Sequence, residues 1–389
     1  MKALNQLKTF QRILGDYPAE TPLGKFLLGF YRQNKQMGST DRKVASRLIY
    51  NYFRLGKALY NTPIEDRLIV AEFLCNSQTN SFLQHFKPDW ALCTGFDIDE
   101  KLKLVKTAYP AFKLTDVFPW SAELSDGIDK DAFLKSFFVQ PDLFIRVRKE
   151  FEVLVKGTLA KADVPFKDEG NGCLALPNGT RLENHFSKQN GYEVQDYSSQ
   201  QTAQFFRPEK WEAWWDACAA SGGKSLLLHE LEPNIKLVVS DIRESILANL
   251  DERFHNAGLF KFQKKLLDLT KNVDPELHDY TFDGIILDAP CSGSGTWGRT
   301  PEMISQFEPQ KLKFFQNLQQ SIATNVVKYL KPGKPLIYIT CSVFKAENEE
   351  AVDFMVKELG MKVEEQSVLK GYGNKADTMF VARLSSARS

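Results

Sequence analysis

The chain has 389 residues, more than one hydrophobic core usually serves, so two or three domains are expected. Its 43% hydrophobic and 25% charged residues and net charge of +1 are those of an ordinary soluble globular protein, and no apolar run reaches the roughly 18 residues of a membrane span. The opening MKALNQLKTFQRILGDYPAE has neither an apolar core nor a small-residue cleavage site, so no secretory leader is read there and the cytoplasm is the expected compartment.

Residues 1–110 read as helical, because LGKFLLGFYRQ, DRKVASRLIYNYFRLGKAL and IEDRLIVAEFLC repeat apolar residues at steps of three and four. Thr40-Asp41 is the expected N-cap of RKVASRLIYNYF. The first 62 residues hold eleven Lys/Arg against three acids, a basic block that suits either a polyanion partner or a solvated helix face. Pro110 and Pro119 punctuate an irregular stretch over 111–140.

Near residue 143 the texture changes. LFIRVRK (143–149) alternates apolar and charged residues as a half-buried strand does, and FEVLVKGTLAKADV (151–164) reads as a helix. CLALPNGTRL (173–182), with Asn178-Gly179 inside it, reads as a hairpin. Together these make a small α+β module.

From residue 211 strands, loops and helices alternate. WWDAC precedes ASGGK and the helix KSLLLHEL; KLVVSDI precedes ESILANLDERFHNAG; KFQKKLLDL and FDGIILDAP follow. The amphipathic helix PQKLKFFQNLQQSIATNVVKYL leads into PLIYITCS, then the helix ENEEAVDFMVKEL and the closing strands MKVEEQS and TMFVARL. Buried strands alternating with helices predict an α/β fold built on a doubly wound, Rossmann-like parallel sheet.

Ligands of such sheets bind beyond the carboxyl ends of the strands. Asp216, Asp241, Asp268 and Asp288 each fall at or near one of those ends. Carboxylates there suit hydroxyls or a positive centre and repel phosphate. In DACAASGGKS (216–225) the phosphate-binding pattern G-x-x-x-x-G-K-[ST] fails because Cys218 stands at its first glycine, and G-x-G-x-x-G fails because only Gly222 and Gly223 are present. The residues therefore fit a nucleoside without a polyphosphate, and S-adenosylmethionine is such a molecule.

Six cysteines are present, none spaced as C-x-x-C, so neither a zinc site nor a disulfide framework is expected. Cys291 and Cys341 end two strands that would lie close together and face the cofactor crevice. A thiolate, an acid and a methyl donor together suit methylation at C5 of a pyrimidine: the thiolate adds to C6 and makes C5 nucleophilic, and Asp288 could assist at N3.

These residues also carry a family resemblance. The loop at 216–224 is similar to the D-x-C-A-A-P-G-G-K of the RsmB/Sun family of RNA cytosine-C5 methyltransferases, with Ser221 where the family has a proline. DAPCSGSGT (288–296) resembles its D-A-P-C-S-G-x-G motif, ITCSVFKAENE (339–349) its T-C-S-x-x-x-x-E-N motif, and VQDYSSQ (194–200) the segment before the methyltransferase domain. DRKVASRLIYNYFR resembles part of the NusB-like helical domain of the family's rRNA enzymes.

The resemblance implies a class I S-adenosylmethionine-dependent methyltransferase domain over 206–389, a small RRM-like module over 140–205 and a helical RNA-binding domain over 1–135. It implies Cys341 as the nucleophile and Cys291 as the residue that helps release product. Cofactor contacts are expected from Cys218, Ala219, Ala220, Ser221, Gly222, Gly223, Lys224, Asp241, Asp268 and Asp288, with Lys224 orienting carboxylates as a second possibility. The expected substrate is RNA, with small-subunit (16S) rRNA before tRNA. A non-catalytic assembly factor on the same scaffold is the competing reading. A monomer with no metal and no membrane attachment is expected.

Overall fold

The computed structural model describes residues 2–186 and 191–386, which divide into two compact units. The first takes the residues up to Ala122 together with Asp129–Gln140 and Trp297–Glu308. The second takes Glu123–Ile128, Pro141–Thr296 and the residues from Pro309 onward.

The first unit is helical, led by Ala3–Asp16, Leu23–Gln33, Ser39–Arg54, Ile64–Cys75 and Ile98–Ala108. Their apolar stripes meet in a core that includes Phe10, Ile13, Leu27, Leu48, Ile49, Leu68 and Val70. The helix expected to be capped at Thr40-Asp41 begins earlier, at Ser39 with Gly38 at the cap, so both residues lie in its first turn. The stretch expected to be irregular contains a helix, Lys130–Ser136, capped by the Asp129 carboxylate and anchored by buried Phe133 and Leu134.

The basic block divides between buried and exposed side chains. Arg54 is buried and donates to the carbonyls of Phe137 (2.9 Å) and Val139 (3.2 Å) and to Gln140 Oε1 (2.8 Å). Lys2, Lys8, Arg12, Lys25, Arg32, Lys35 and Lys43 are exposed. The segment Trp297–Glu308 also belongs to this unit, where buried Trp297 packs against Phe118 and Phe307 and buried Glu302 accepts from the Leu23 N–H (3.2 Å).

In the second unit, strands β1 (Leu143–Val147), β2 (Lys167–Gly170), β3 (Cys173–Leu176) and β4 (Tyr192–Val194) form a small antiparallel sheet in the order β2-β3-β1-β4. Its hairpin turns at Asn171-Gly172, with φ of 50° and 75°, and not at Asn178-Gly179 as expected. Both dipeptides offer the same turn chemistry. Only the first lies between two paired strands; its leading strand, Lys167–Gly170, is a polar edge strand without the apolar alternation that marks one, and was therefore missed.

Strands β5 (Ala213–Asp216), β6 (Lys236–Asp241), β7 (Phe262–Leu266), β8 (Gly284–Asp288), β9 (Pro335–Thr340), β10 (Met361–Lys370) and β11 (Thr378–Ser386) form the large sheet. Their order is β7-β6-β5-β8-β9-β11-β10; β7 to β9 are parallel, and β11 runs antiparallel to both its neighbours. This is the class I S-adenosylmethionine-dependent methyltransferase arrangement.

Alternating side chains fill opposite faces. Trp214, Val239, Ile286, Ile337 and Ile339 pack on one side with Leu226, Leu250 and Phe254, while Trp215, Val238, Ile285, Leu287 and Tyr338 pack on the other with Ile322, Val352 and Met355. The chain leaves β5 toward β6 and β7, then returns to β8 on the other side of β5. That reversal opens a crevice beyond the strand ends.

Candidate active site

The first wall of the crevice is the loop after β5. It hangs from both neighbouring strands: Ala217 N–H donates to the Ile286 carbonyl (2.9 Å) and Ala219 N–H to that of Ser240 (2.9 Å). Ala220 and Gly222 have φ of 47° and 81°. Gly222 cannot be replaced at no cost, since a Cβ there would lie 2.2 Å from the Phe254 ring. The helix Gly223–Leu231 follows with no side-chain cap, so its first N–H groups face the loop.

The acids at the strand ends differ in their settings. Asp216 is fully buried and accepts from Ser225 Oγ (2.6 Å); its other oxygen has no hydrogen-bond partner. Burial pushes its carboxyl up to about 7, against the pull of the Ser225 hydrogen bond. Burial would also raise Asp241, but the Arg243 guanidinium and N–H and the Ala220 N–H (3.0 Å) bring it below its usual value. Asp268 is held low by the Thr270 hydroxyl (2.6 Å) and by Lys271 (3.0 Å), in its own turn after β7.

Lys224 is nearly buried and donates to Asp288 Oδ2 (3.0 Å) and Ser199 Oγ (2.8 Å). Cys218 lies in the same wall. Burial, together with the charges of Asp216, Asp241 and Asp288, pushes its thiol far up, which makes it a poor nucleophile.

The second wall carries the other two thiols. Cys291 Sγ and Cys341 Sγ are 3.4 Å apart, and both cysteines are free. Two loops from adjacent strands are needed to bring them together, and one buried carboxylate holds both. Glu347 accepts from Ser292 N–H (2.7 Å) and Ser292 Oγ (2.6 Å) on the β8 side and from Ser342 Oγ on the β9 side. Ser294 Oγ accepts from Val343 N–H (2.9 Å), and Asn348 donates to the Ser342 carbonyl (2.9 Å) and accepts from Thr340 Oγ1 (2.5 Å).

Gly295 N–H donates to the Cys341 carbonyl (2.9 Å), and a Cβ on Gly295 would lie 1.8 Å from the Thr378 carbonyl oxygen. The last glycine of the motif is thus a packing requirement. The Cys291 thiol is pushed well up by its hydrogen bond to Cys341, by burial and by the nearby Glu347 charge. Burial raises Glu347 as well, opposed by the two serines.

Of the residues singled out in the sequence, Cys291 and Cys341 meet each other, Asp288 meets Lys224, and Asp241 meets the loop at Ala220. Asp268 engages only its own turn among the described contacts. Sequence reasoning assigned no role to Glu347, Asn348, Ser292, Ser342 or Ser199. The first two are the E-N of the T-C-S motif, and their fixed spacing from the cysteine was the available signal.

Residues 203–385 match the family described as 16S rRNA methyltransferase RsmB/F. The ribosomal RNA small subunit methyltransferase B of Shewanella oneidensis is 36% identical over 163 residues, which are 41% of this chain and 37% of that protein. The protein of the same name from Xylella fastidiosa strain 9a5c is 34% identical over 163 residues, 41% of this chain and 38% of that one. The match thus spans about two-fifths of these relatives' length. Among solved structures, that of PH0851 is similar with a TM-score of 0.69 at 19% identity, covering 96% of both chains. NSun6 from Pyrococcus horikoshii with SFG gives 0.59 at 17% identity, covering 70% of this chain and 98% of that one. At these identities the two structures speak for the fold. Through residues 203–385, the chain is similar to the RsmB/F methyltransferase family.

Proposed function

We propose that this protein methylates C5 of a cytosine in RNA, small-subunit (16S) rRNA foremost, with S-adenosylmethionine as methyl donor. The observation that carries the reading is the pair of free thiols 3.4 Å apart at the ends of adjacent parallel strands. C5 of cytosine is too weak a nucleophile to accept a methyl group unaided. A thiolate that adds to C6 turns C5 into an enamine-like carbon.

Cys341 is the residue we assign to C6. Cys291, whose sulfur lies 3.4 Å from that of Cys341, is assigned to assist release of the product. Asp288, three residues before Cys291 and fixed by Lys224, is assigned to N3 of the base. Loss of the C5 proton breaks the bond between C6 and sulfur and returns the thiolate.

The loop residues suit the proposed donor. Cys218 to Lys224 form a backbone-lined turn beside an uncapped helix start, and Asp241 suits ribose hydroxyls. The carboxylates of Asp216, Asp241 and Asp288 suit a cationic sulfonium and would repel a polyphosphate. When bound, S-adenosylmethionine supplies an electrophilic methyl group. Asp268 enters the assignment through its place after β7 alone.

A cytosine must leave its stack to reach such a crevice, so a loop or exposed strand is the expected target. The exposed Lys and Arg of the helical unit suit RNA phosphates, and affinity should fall steeply with salt. The test is methyl transfer from labelled S-adenosylmethionine into unmethylated small-subunit rRNA and tRNA, side by side, with bisulfite mapping. One 5-methylcytosine in rRNA supports the reading. Label in tRNA alone moves the substrate, and no label in either with the cofactor bound returns the assembly-factor reading.

A further inference from the structure

Ser221 is the residue at which the loop departs from the family's proline, and the fold supplies a substitute for the lost ring. Helix Glu244–Asn256 runs beneath the loop and presents two consecutive side chains to it. Phe254 fills the space against Gly222. Arg253 Nη1 donates to the Ser221 hydroxyl (2.9 Å) and carbonyl (3.2 Å), while its Nε donates to Glu193 Oε2 (2.8 Å). Glu193 is nearly buried on β4 of the small sheet, where Arg148 also faces it at 3.5 Å. The guanidinium fork therefore ties the most exposed turn of the loop to a carboxylate anchored in a neighbouring sheet.

We infer that Arg253 is a positioning residue for the methyl donor, clamping Ser221 through Glu193 and so holding the loop in its bound shape before the ligand arrives. The inference rests on the reading of the loop as the S-adenosylmethionine site. A proline restricts such a turn covalently by fixing φ. A serine leaves that freedom in the chain, and a bidentate contact removes it from outside. Pre-organisation of this kind appears as affinity, because the ordering cost is met before binding. A lysine at 253 cannot reproduce the fork, since its single ammonium cannot hold Glu193 and both Ser221 oxygens in one plane.

The test is calorimetric binding of S-adenosylmethionine to the full chain, with KM for donor and for RNA measured on the same samples. Arg253→Met should weaken donor binding by about three- to tenfold, the worth of about one ordinary net hydrogen bond. It should raise KM for the donor in step, with KM for RNA moving less than twofold. Ser221→Ala should lose less, because the carbonyl contact survives, and Arg253→Lys should fall between Met and the unaltered chain.

The double variant Ser221→Ala/Arg253→Met should bind no worse than Arg253→Met alone, the signature of one shared contact. Losses that multiply, or Arg253→Met binding as tightly as the unaltered chain, would overturn the clamp. A parallel rise in KM for RNA would assign Arg253 a general structural role and overturn it too. An unaltered chain that binds no donor removes the reading of the loop, and the clamp with it.

Discussion

The two walls of the crevice are built in opposite ways. Beyond β5 and β6 the charged groups find partners close by in the chain: Asp241 binds Arg243 two residues on, Asp216 binds Ser225 in the next helix, and Asp268 binds Thr270. Beyond β8 and β9 the partners lie about fifty residues apart, Cys291 with Cys341 and Ser292 with Glu347. In the first wall, the donor wall, each of these three carboxylates has a partner near it in the chain, and the longer ties, such as Lys224 to Asp288, are spread over several separate contacts. The thiol wall exists only when two loops are locked together, and one buried carboxylate does the locking. Damage to the first wall should therefore be graded, and damage to the second should be all or nothing.

The sharpest contrast is expected from the thiols. Cys341→Ala should lower methyl transfer by at least about a thousandfold, as loss of a nucleophile does, while donor affinity changes less than twofold by calorimetry. Turnover in that variant would remove the distinction between the walls. Cys291→Ala should accumulate a covalent protein–RNA product, visible as a shifted band on a denaturing gel, if release depends on that thiol. Free turnover with no such band would assign release elsewhere.

Glu347→Ala comes next. It leaves the Ser292 N–H and two hydroxyls without their acceptor, and should cost about 3 kcal/mol in urea unfolding together with most of the activity. Retained activity at full stability would mean that the loops hold themselves.

The smallest effect tests the donor wall. Burial raises the Asp216 carboxyl to about 7, so the folded chain binds this proton more tightly than the unfolded chain does. The stability this contributes is complete below about pH 4 and is lost as pH rises through about 7. Asp216→Asn cannot ionise and should lose less stability than the unaltered chain between pH 5 and pH 8. Parallel curves for the two proteins would show that Asp216 does not titrate there.

The same contrast explains what the sequence could disclose. The large sheet was legible because GIILD and PLIYIT are unbroken apolar strands and their acidic or cysteine-bearing ends mark the crevice. For Lys224 the sequence left two readings open, a cofactor contact or a loop residue that orients carboxylates, and the partner it meets, Asp288, lies 64 residues away. Glu347 was not foreseen: an acid ahead of a helix looks like a favourable charge at its N-terminus, and only the fold reveals two serines from another loop beneath it.

The hairpin was misplaced because two Asn-Gly dipeptides lie seven residues apart and the strand that decides between them is polar. The segment Trp297–Glu308 belongs to the helical unit through Trp297, Glu302 and Phe307, contacts with residues far away in sequence that no local pattern encodes.

The central claim is that Cys341 bonds to C6 of the target cytosine. It is tested most directly with rRNA carrying 5-fluorocytosine, which has no C5 proton to lose and should hold the enzyme in its covalent state once the methyl group has been transferred. The full chain, incubated with this RNA and S-adenosylmethionine, should give a denaturation-resistant adduct, and mass spectrometry should find it on the peptide that carries Cys341. An adduct on Cys291, or methyl transfer to ordinary rRNA with no adduct on the fluorinated RNA, would contradict the account.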